Sequence, residues 1–277
     1  METFAFLPVA GEKIFTITHR PETRRHPAGV LMLHAFAEEK LWTQRASALL
    51  ARALADAGLP VLRFDHRGHG DSDREHHEMT LDSMLEDLDA AAAAFRAAEG
   101  VDELHLFGFR LGGALALARA AELGASSVAL VNPVADGGDF LMKTLRSNLT
   151  TQMGIYGEVR KDRDTLLAEM RETGFLNIDG YHLSAACFDA LWGLKAEDAA
   201  FAGPGLALSL VRREGAPADA DTRAVFARLE GHAASRLETL VYPSIWGEQK
   251  VYATGDATLF DPLVAWFTGG WRGSDVS

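Results

Sequence analysis

Three short segments of this sequence gather side chains able to hold a charged ligand or move a proton. They are His34-Ala35-Phe36-Ala37-Glu38-Glu39, Asp65-His66-Arg67-Gly68-His69-Gly70-Asp71-Ser72 and Gly108-Phe109-Arg110-Leu111-Gly112-Gly113. Imidazoles and carboxylates are the usual general acids and bases. Arg110 has a different chemistry. Its guanidinium stays protonated at physiological pH and offers no lone pair for attack, but it presents a planar fork to a carboxylate, phosphate or sulfate. The glycines around it predict a sharp strand-to-helix turn. Arg110 would then stand over a helix N-terminus, where free N–H groups and the helix dipole favour an anion. The N–H of Leu111, with that of Ala35 or Phe36, would complete an oxyanion-type pocket.

The elements that must position these segments follow from apolar runs alternating with stretches of 3.6-residue periodicity, the pattern of a parallel sheet covered by helices on both faces. Strands are predicted at 4–9 and 13–18 (an antiparallel opening pair), 29–34, 61–64, 103–107, 127–131, 206–211 and 238–242. Helices are predicted at 42–57, ending at Gly58, and at 80–98, from 111 onward, 222–229 and 257–267. Between 136 and 203 the alternation breaks into amphipathic helical patterns at 139–153, 162–173 and 185–195, with no strand expected. The fold class is therefore α/β, with about eight mostly parallel strands. Residues 1–135 and 204–277 form the core and 136–203 an inserted helical lid. In open α/β sheets ligands bind at the carboxyl ends of the strands, where the three segments lie.

The third segment resembles the G-x-S-x-G nucleophile elbow of the α/β-hydrolases, with Arg110 where the serine would stand. Together with the Asp65-His66-Arg67-Gly68 turn and the lid, this resemblance to the α/β-hydrolase superfamily covers nearly the whole chain. The string His34 to Arg45, the Gly70-Asp71-Ser72 turn and Gly108 to Gly112 are similar to exosortase A system-associated hydrolases of the second type. That resemblance implies bacterial exopolysaccharide-related surroundings and makes Arg at the elbow a feature of the type.

Chain order locates the remaining members of a Ser-His-Asp triad. Asp219 or Asp221 stands where the acid is expected. None of the ten histidines follows the last strand, the final one being His232; Trp246 or Glu248 stands near the place of the base.

Three functional readings stay open. In the first, Arg110 holds an acidic small molecule or acidic sugar, with Glu39, Tyr156 and Trp246 among the contacts, unless Glu38 or Glu39 neutralises it internally. In the second, His34, Glu38, Glu39, Asp65, His66, Tyr156 or His182 supplies acid/base groups for an atypical hydrolase, acyltransferase or lyase. In the third, the chain is a non-catalytic pseudo-hydrolase acting through a lid face around Trp192 and Leu194. His66 and His69 are expected to serve their turn, and His76 and His77 to be a solvated approach to a helix.

Composition narrows the partners. The 277 residues carry 27 basic against 39 acidic side chains, a formal charge of −12, with the basic residues scattered, so nucleic acid and anionic membranes are poor partners. An anionic or ester-like small molecule, or a second copy of the chain as a homodimer, fits better. No apolar run reaches about 18 residues, and the N-terminus lacks a secretory pattern, so a cytoplasmic location is expected. The single cysteine, Cys187, lies in an apolar run and is expected to pack rather than attack. Neither a metal site nor a cofactor is expected.

Overall fold

A computed structural model describes residues 1–247 and 256–270. The order along the chain is β1 (Glu2–Val9), β2 (Glu12–His19), β3 (Ala28–Leu33), α1 (Ala37–Asp56), β4 (Val61–Phe64), α2 (Leu81–Glu99), β5 (Glu103–Phe109), α3 (Leu111–Arg119) and β6 (Ser127–Val131). It continues with α4 (Gly137–Tyr156), α5 (Arg163–Thr173), β7 (Phe175–Ile178), β8 (Tyr181–Ser184), α6 (Ala185–Trp192), β9 (Gly205–Val211), α7 (Ala220–Leu229), β10 (Arg236–Val241) and α8 (Ala257–Ala265).

Eight strands form one sheet in the order β1-β2-β4-β3-β5-β6-β9-β10. The β1/β2 and β2/β4 pairs are antiparallel and the rest parallel. Every residue of β3, β6 and β9 is buried, which is why these strands read as unbroken apolar runs rather than alternating ones. One apolar cluster packs α2, α3 and α7 on one face of the sheet, together with α4 to α6. A second packs α1 and α8 on the other. This is the α/β hydrolase fold.

Two expectations need correction. First, α1 begins at Ala37, five residues before the predicted start at 42. Its N-cap is Phe36, which has no capping side chain, so the usual Ser/Thr/Asp/Asn start signal is missing. The start is favoured instead by Glu38 and Glu39 in the first turn, next to the positive end of the helix dipole.

Second, the segment between β6 and β9 is not purely helical. It holds the antiparallel hairpin of β7 and β8, paired from Phe175↔Ser184 to Ile178↔Tyr181. The two-residue loop is Asp179-Gly180, with φ of +50° and +94°, the left-handed pair that a type I′ turn demands and that Asp-Gly supplies. Leu176, Ile178 and Leu183 alternate inward onto the core.

Candidate functional site

The site is built on the handover from β5 to α3, which takes a single residue. Arg110 adopts φ 53°, ψ −123°, a conformation costly for a residue with a Cβ and kept only where the surroundings enforce it. Its own backbone groups supply the enforcement. The Arg110 N–H donates to the Val131 carbonyl, and the Arg110 carbonyl accepts from the N–H groups of Gly113, Ala114 and Val134. Two glycines make the turn sterically feasible. A Cβ on Gly108 would lie 2.4 Å from the Gly113 nitrogen, and one on Gly112 2.3 Å from the His34 carbonyl oxygen. The close approach at Gly112 seats the start of α3 against the end of β3. The N–H groups of Leu111 and Phe36 have no hydrogen-bond partner among the described residues.

The Arg110 side chain is held on three sides. Nε donates to Oε1 of Glu39 at 3.1 Å, and Nη1 donates to the Asn132 carbonyl at 2.9 Å. The guanidinium carbon lies 4.9 Å from the ring centroid of Trp246, within cation–π range. Of the two acidic residues expected to compete for Arg110, Glu39 takes the ion pair.

Asn132, with φ +43°, links Arg110 to Asp219. Its Nδ2 donates to Asp219 Oδ2 at 2.8 Å, while its Oδ1 accepts from the Leu210 N–H at 2.8 Å. Asp219 is the N-cap of α7, accepting from the Thr222 N–H at 3.0 Å, and it also accepts from the hydroxyls of Thr222 and Ser209. Burial acts to raise the Asp219 pKa, but the hydrogen bonds from Thr222 and Ser209 and the charge of Arg110 hold it below the usual carboxylate value. Glu39 goes the other way. Burial raises its pKa against the opposing pull of Arg110, and its Oε2 is buried without a hydrogen-bond partner.

Above this floor opens a cavity of about 750 Å³. Phe36, Ala37, Glu38, Glu39, Arg110 and Trp246 line its base, and the β7–β8 hairpin contributes Ile178 and Tyr181. Helix α4 forms a wall of Lys143, Thr144, Ser147, Thr150 and Thr151. The hydroxyls of Thr144, Thr150 and Thr151 donate to backbone carbonyls of their own helix. Their lone pairs are left as acceptors for a ligand that brings its own O–H or N–H groups.

Ala35 and Leu111 are buried and are not among the residues lining the cavity. His34 is not in the cavity lining either. Its Nδ1 donates to the Ala35 carbonyl, and its Nε2 accepts from the His66 N–H. His34 and Asp65 line a separate space of about 50 Å³, in which Asp65 is paired with Lys40 at 2.9 Å. Tyr156 stands at the end of α4 with its ring under the Arg160 guanidinium, 3.7 Å away, outside the cavity lining. Glu248 lies outside the described residues.

His76 is not the solvated side chain expected. It is half-buried, bonds to the His182 carbonyl through Nδ1, and packs edge-on to His69 and Tyr181. Sequence reasoning missed Asn132, Lys143 and the hydroxyl face of α4. The hydroxyls at 144, 147 and 151 share one face by their three- and four-residue spacing, which was the available signal. Among the described residues no group of three or more His, Cys, Asp or Glu side chains could hold a metal ion, and no helix is long and apolar enough to cross a membrane.

The profile of the α/β hydrolase fold family matches residues 30–177, and the chain belongs to that family. No curated protein matches the sequence. Among solved structures, Est1E from Butyrivibrio proteoclasticus with bound ferulic acid superposes with a TM-score of 0.66 at 17% identity, over 94% of this chain and 98% of that one. The esterase domain of a Rhodothermus marinus protein gives 0.61 at 21% identity, over 98% of each chain. A further structure, of a protein from Agrobacterium vitis, gives 0.59 at 17%, over 98% and 97%. At these identities the likeness is one of fold.

Proposed function

We propose that this chain binds an acidic small molecule or acidic saccharide at Arg110 and does not run serine-hydrolase chemistry. The observation that carries the reading is the Arg110 guanidinium at the floor of an open cavity of about 750 Å³, together with the N–H groups of Leu111 and Phe36, which have no hydrogen-bond partner among the described residues. In a serine hydrolase this floor would hold nucleophile, base and acid. In this reading Arg110 and Asp219 take the places of nucleophile and acid, and Trp246 or Glu248 that of the base; the cation is stacked on the Trp246 indole and joined to the carboxylate through Asn132. A ligand anion on the guanidinium would gain charge-assisted hydrogen bonds of roughly 1.5–3 kcal/mol each. The acceptor-bearing wall of α4 and the aromatic faces of Phe36, Tyr181 and Trp246 suit a polyhydroxylated ligand. In this reading the segment 136–203 is the lid, and the setting is bacterial exopolysaccharide-related metabolism.

A second reading is favoured by the two carboxylates on the cavity floor. Glu38 and Glu39 line it whereas His34 and Asp65 do not, so an acid/base reaction would run through the glutamates.

Calorimetric titration with D-glucuronate separates these from an occluded pseudo-hydrolase. Saturable binding that is lost in R110Q is expected, and binding that survives R110Q unchanged would sink the anion-pocket reading. Hydrolysis of p-nitrophenyl acetate by the wild type and not by R110Q would move the chain to a catalytic role.

A further inference from the structure

Arg110 already holds an imperfect anion, and the imperfection is informative. The Nε and Nη2 edge of a guanidinium is a fork that carboxylates and phosphates fill with two parallel bonds. Glu39 fills half of it. Its Oε1 accepts from Nε at 3.1 Å, while Nη2 has no partner among the described residues. The second oxygen of Glu39 is buried with no hydrogen-bond partner. Nη1 is committed to the Asn132 carbonyl, so a ligand has only this half-used edge to claim.

We propose that Glu39 is a resident stand-in for the ligand's anionic group, and that a ligand carboxylate or phosphate displaces it from Arg110 with uptake of one proton by Glu39. The inference rests on the anion-pocket reading above and specifies how that pocket exchanges its occupant.

The charges around the floor decide where the proton goes. With a ligand anion in place, one guanidinium faces two acidic groups in a confined space, and two like charges so close cannot both stay ionised at ordinary cost. Asp219, behind Arg110, is saturated by Thr222, Ser209 and Asn132 and is a poor acceptor. Glu38, on the same helix turn, adds negative charge next to Glu39. Lys143, facing from α4, is paired with Asp221 at 2.9 Å, and Asp179 and Tyr181 of the hairpin bring no positive charge. Glu39 loses on displacement its only side-chain donor among the described residues, and it already has one dehydrated oxygen. Burial raises its pKa in the resting state, with Arg110 the opposing influence.

Atoms and charge are conserved in the exchange. The Glu39 carboxylate paired with Arg110, a free ligand anion and one solvent proton become a neutral Glu39 carboxylic acid and the ligand anion paired with Arg110. No covalent bond changes other than the new O–H on Glu39. That O–H then lies beside the bound anion, so the same residue that excludes water and stray anions in the empty site donates a hydrogen bond in the filled one.

The test is calorimetric titration of the full chain with D-glucuronate, which stays ionised from about pH 5.5 to about pH 8, in two buffers of different ionisation enthalpy. The wild type is expected to take up close to one proton per ligand and to bind up to about tenfold more weakly for each pH unit of increase. E39Q, which mimics the protonated state, is expected to bind about tenfold or more tightly at the alkaline end, independent of pH and without proton uptake. E39A gives the same direction if E39Q folds poorly, folding being checked by circular dichroism. Binding by the wild type that depends on Arg110 but is flat with pH and takes up no proton overturns the exchange and leaves the anion pocket standing. Binding to neither the wild type nor E39Q overturns both.

Discussion

The Arg110 guanidinium carbon stands 4.9 Å from the Trp246 ring centroid, so the face of the cation is covered by indole while Nε bonds Glu39 and the residue lines the cavity. Stacking of this kind lets an arginine keep its charge and present a preorganised edge. Trp246 follows β10 at the end of the sheet, on a loop that also packs Ile245 into the core, which fixes the ring in place. W246A is expected to weaken D-glucuronate binding by the loss of a cation–π contact of about 0.5–2 kcal/mol, and W246F to retain most of it. Calorimetric titration of the two variants checks the order. Equal affinity in W246A and the wild type would remove the ring from the site.

Arg110 also neutralises Glu39, and its removal should therefore show in stability as a function of pH. In R110Q the buried Glu39 carboxyl loses the guanidinium that lowers its pKa, so its folded value rises further above the unfolded one. A carboxyl raised in the folded state holds its proton where the unfolded chain has released it, and stability then falls as pH rises through that window. R110Q is expected to lose stability relative to the wild type near neutral pH and to regain part of it in mild acid, as read by urea unfolding. The double variant E39Q/R110Q should lack this pH dependence.

How much of this was legible in the sequence can be judged residue by residue. The strand runs around Leu31, Phe107, Leu130 and Leu208 were readable because helices cover both sheet faces, so burial dictates continuous apolar side chains. The turn at Arg110 was readable because Gly108 and Gly112 leave no room for a Cβ. The start of α1 was not, since Phe36 caps the helix without a side-chain hydrogen bond. That one missed boundary also left open which of Glu38 and Glu39 meets Arg110. Adjacent helical residues point about 100° apart, and only the observed start at Ala37 fixes the phase. The hairpin has a local signal, Asp179-Gly180 between alternating apolar residues, but it is short and lies between two longer stretches of helical periodicity. Asn132 acts on Arg110 through its backbone carbonyl, which no side-chain pattern reveals.

Arg67 anchors the second segment and should be indifferent to the ligand. Its side chain is fully buried, with Nε donating to Asp87 at 2.6 Å, Nη1 to Glu12 at 3.0 Å and Nη2 to Glu86. The Asp65–Ser72 turn is thereby tied to α2 and to the start of β2. Removing one partner of a buried ion pair strands the other, and R67A leaves Asp87 buried without its guanidinium, an expected loss of about 3–5 kcal/mol. R67K should recover only part, because an ammonium cannot satisfy three carboxylates in a plane. Urea denaturation measures both. The affinity of folded R67K for D-glucuronate should match the wild type, which distinguishes this buried arginine from Arg110.

His34 directly follows β3 with both ring nitrogens engaged, Nδ1 on the Ala35 carbonyl at 2.6 Å and Nε2 on the His66 N–H at 3.4 Å. A second proton would have to enter at Nε2, where a donor already points. Burial chiefly, then His66 and Lys40, lower its pKa to about 3 against the pull of Asp65. The unfolded chain protonates this histidine below about pH 6.5, while the folded chain does so only near pH 3. Between those values the unfolded state holds the extra proton, so stability rises with pH. The contribution is complete above about pH 6.5 and is lost as pH falls toward the folded value, with a slope of up to about 1.4 kcal/mol per pH unit. His69 and His76, lowered chiefly by burial, and His19, lowered to about 4, act in the same direction. Urea unfolding across mildly acidic pH is expected to show stability falling steeply, and H34Q to have a slope shallower by close to one proton. A slope unchanged in H34Q would mean that this ring is not excluded from protonation by the fold.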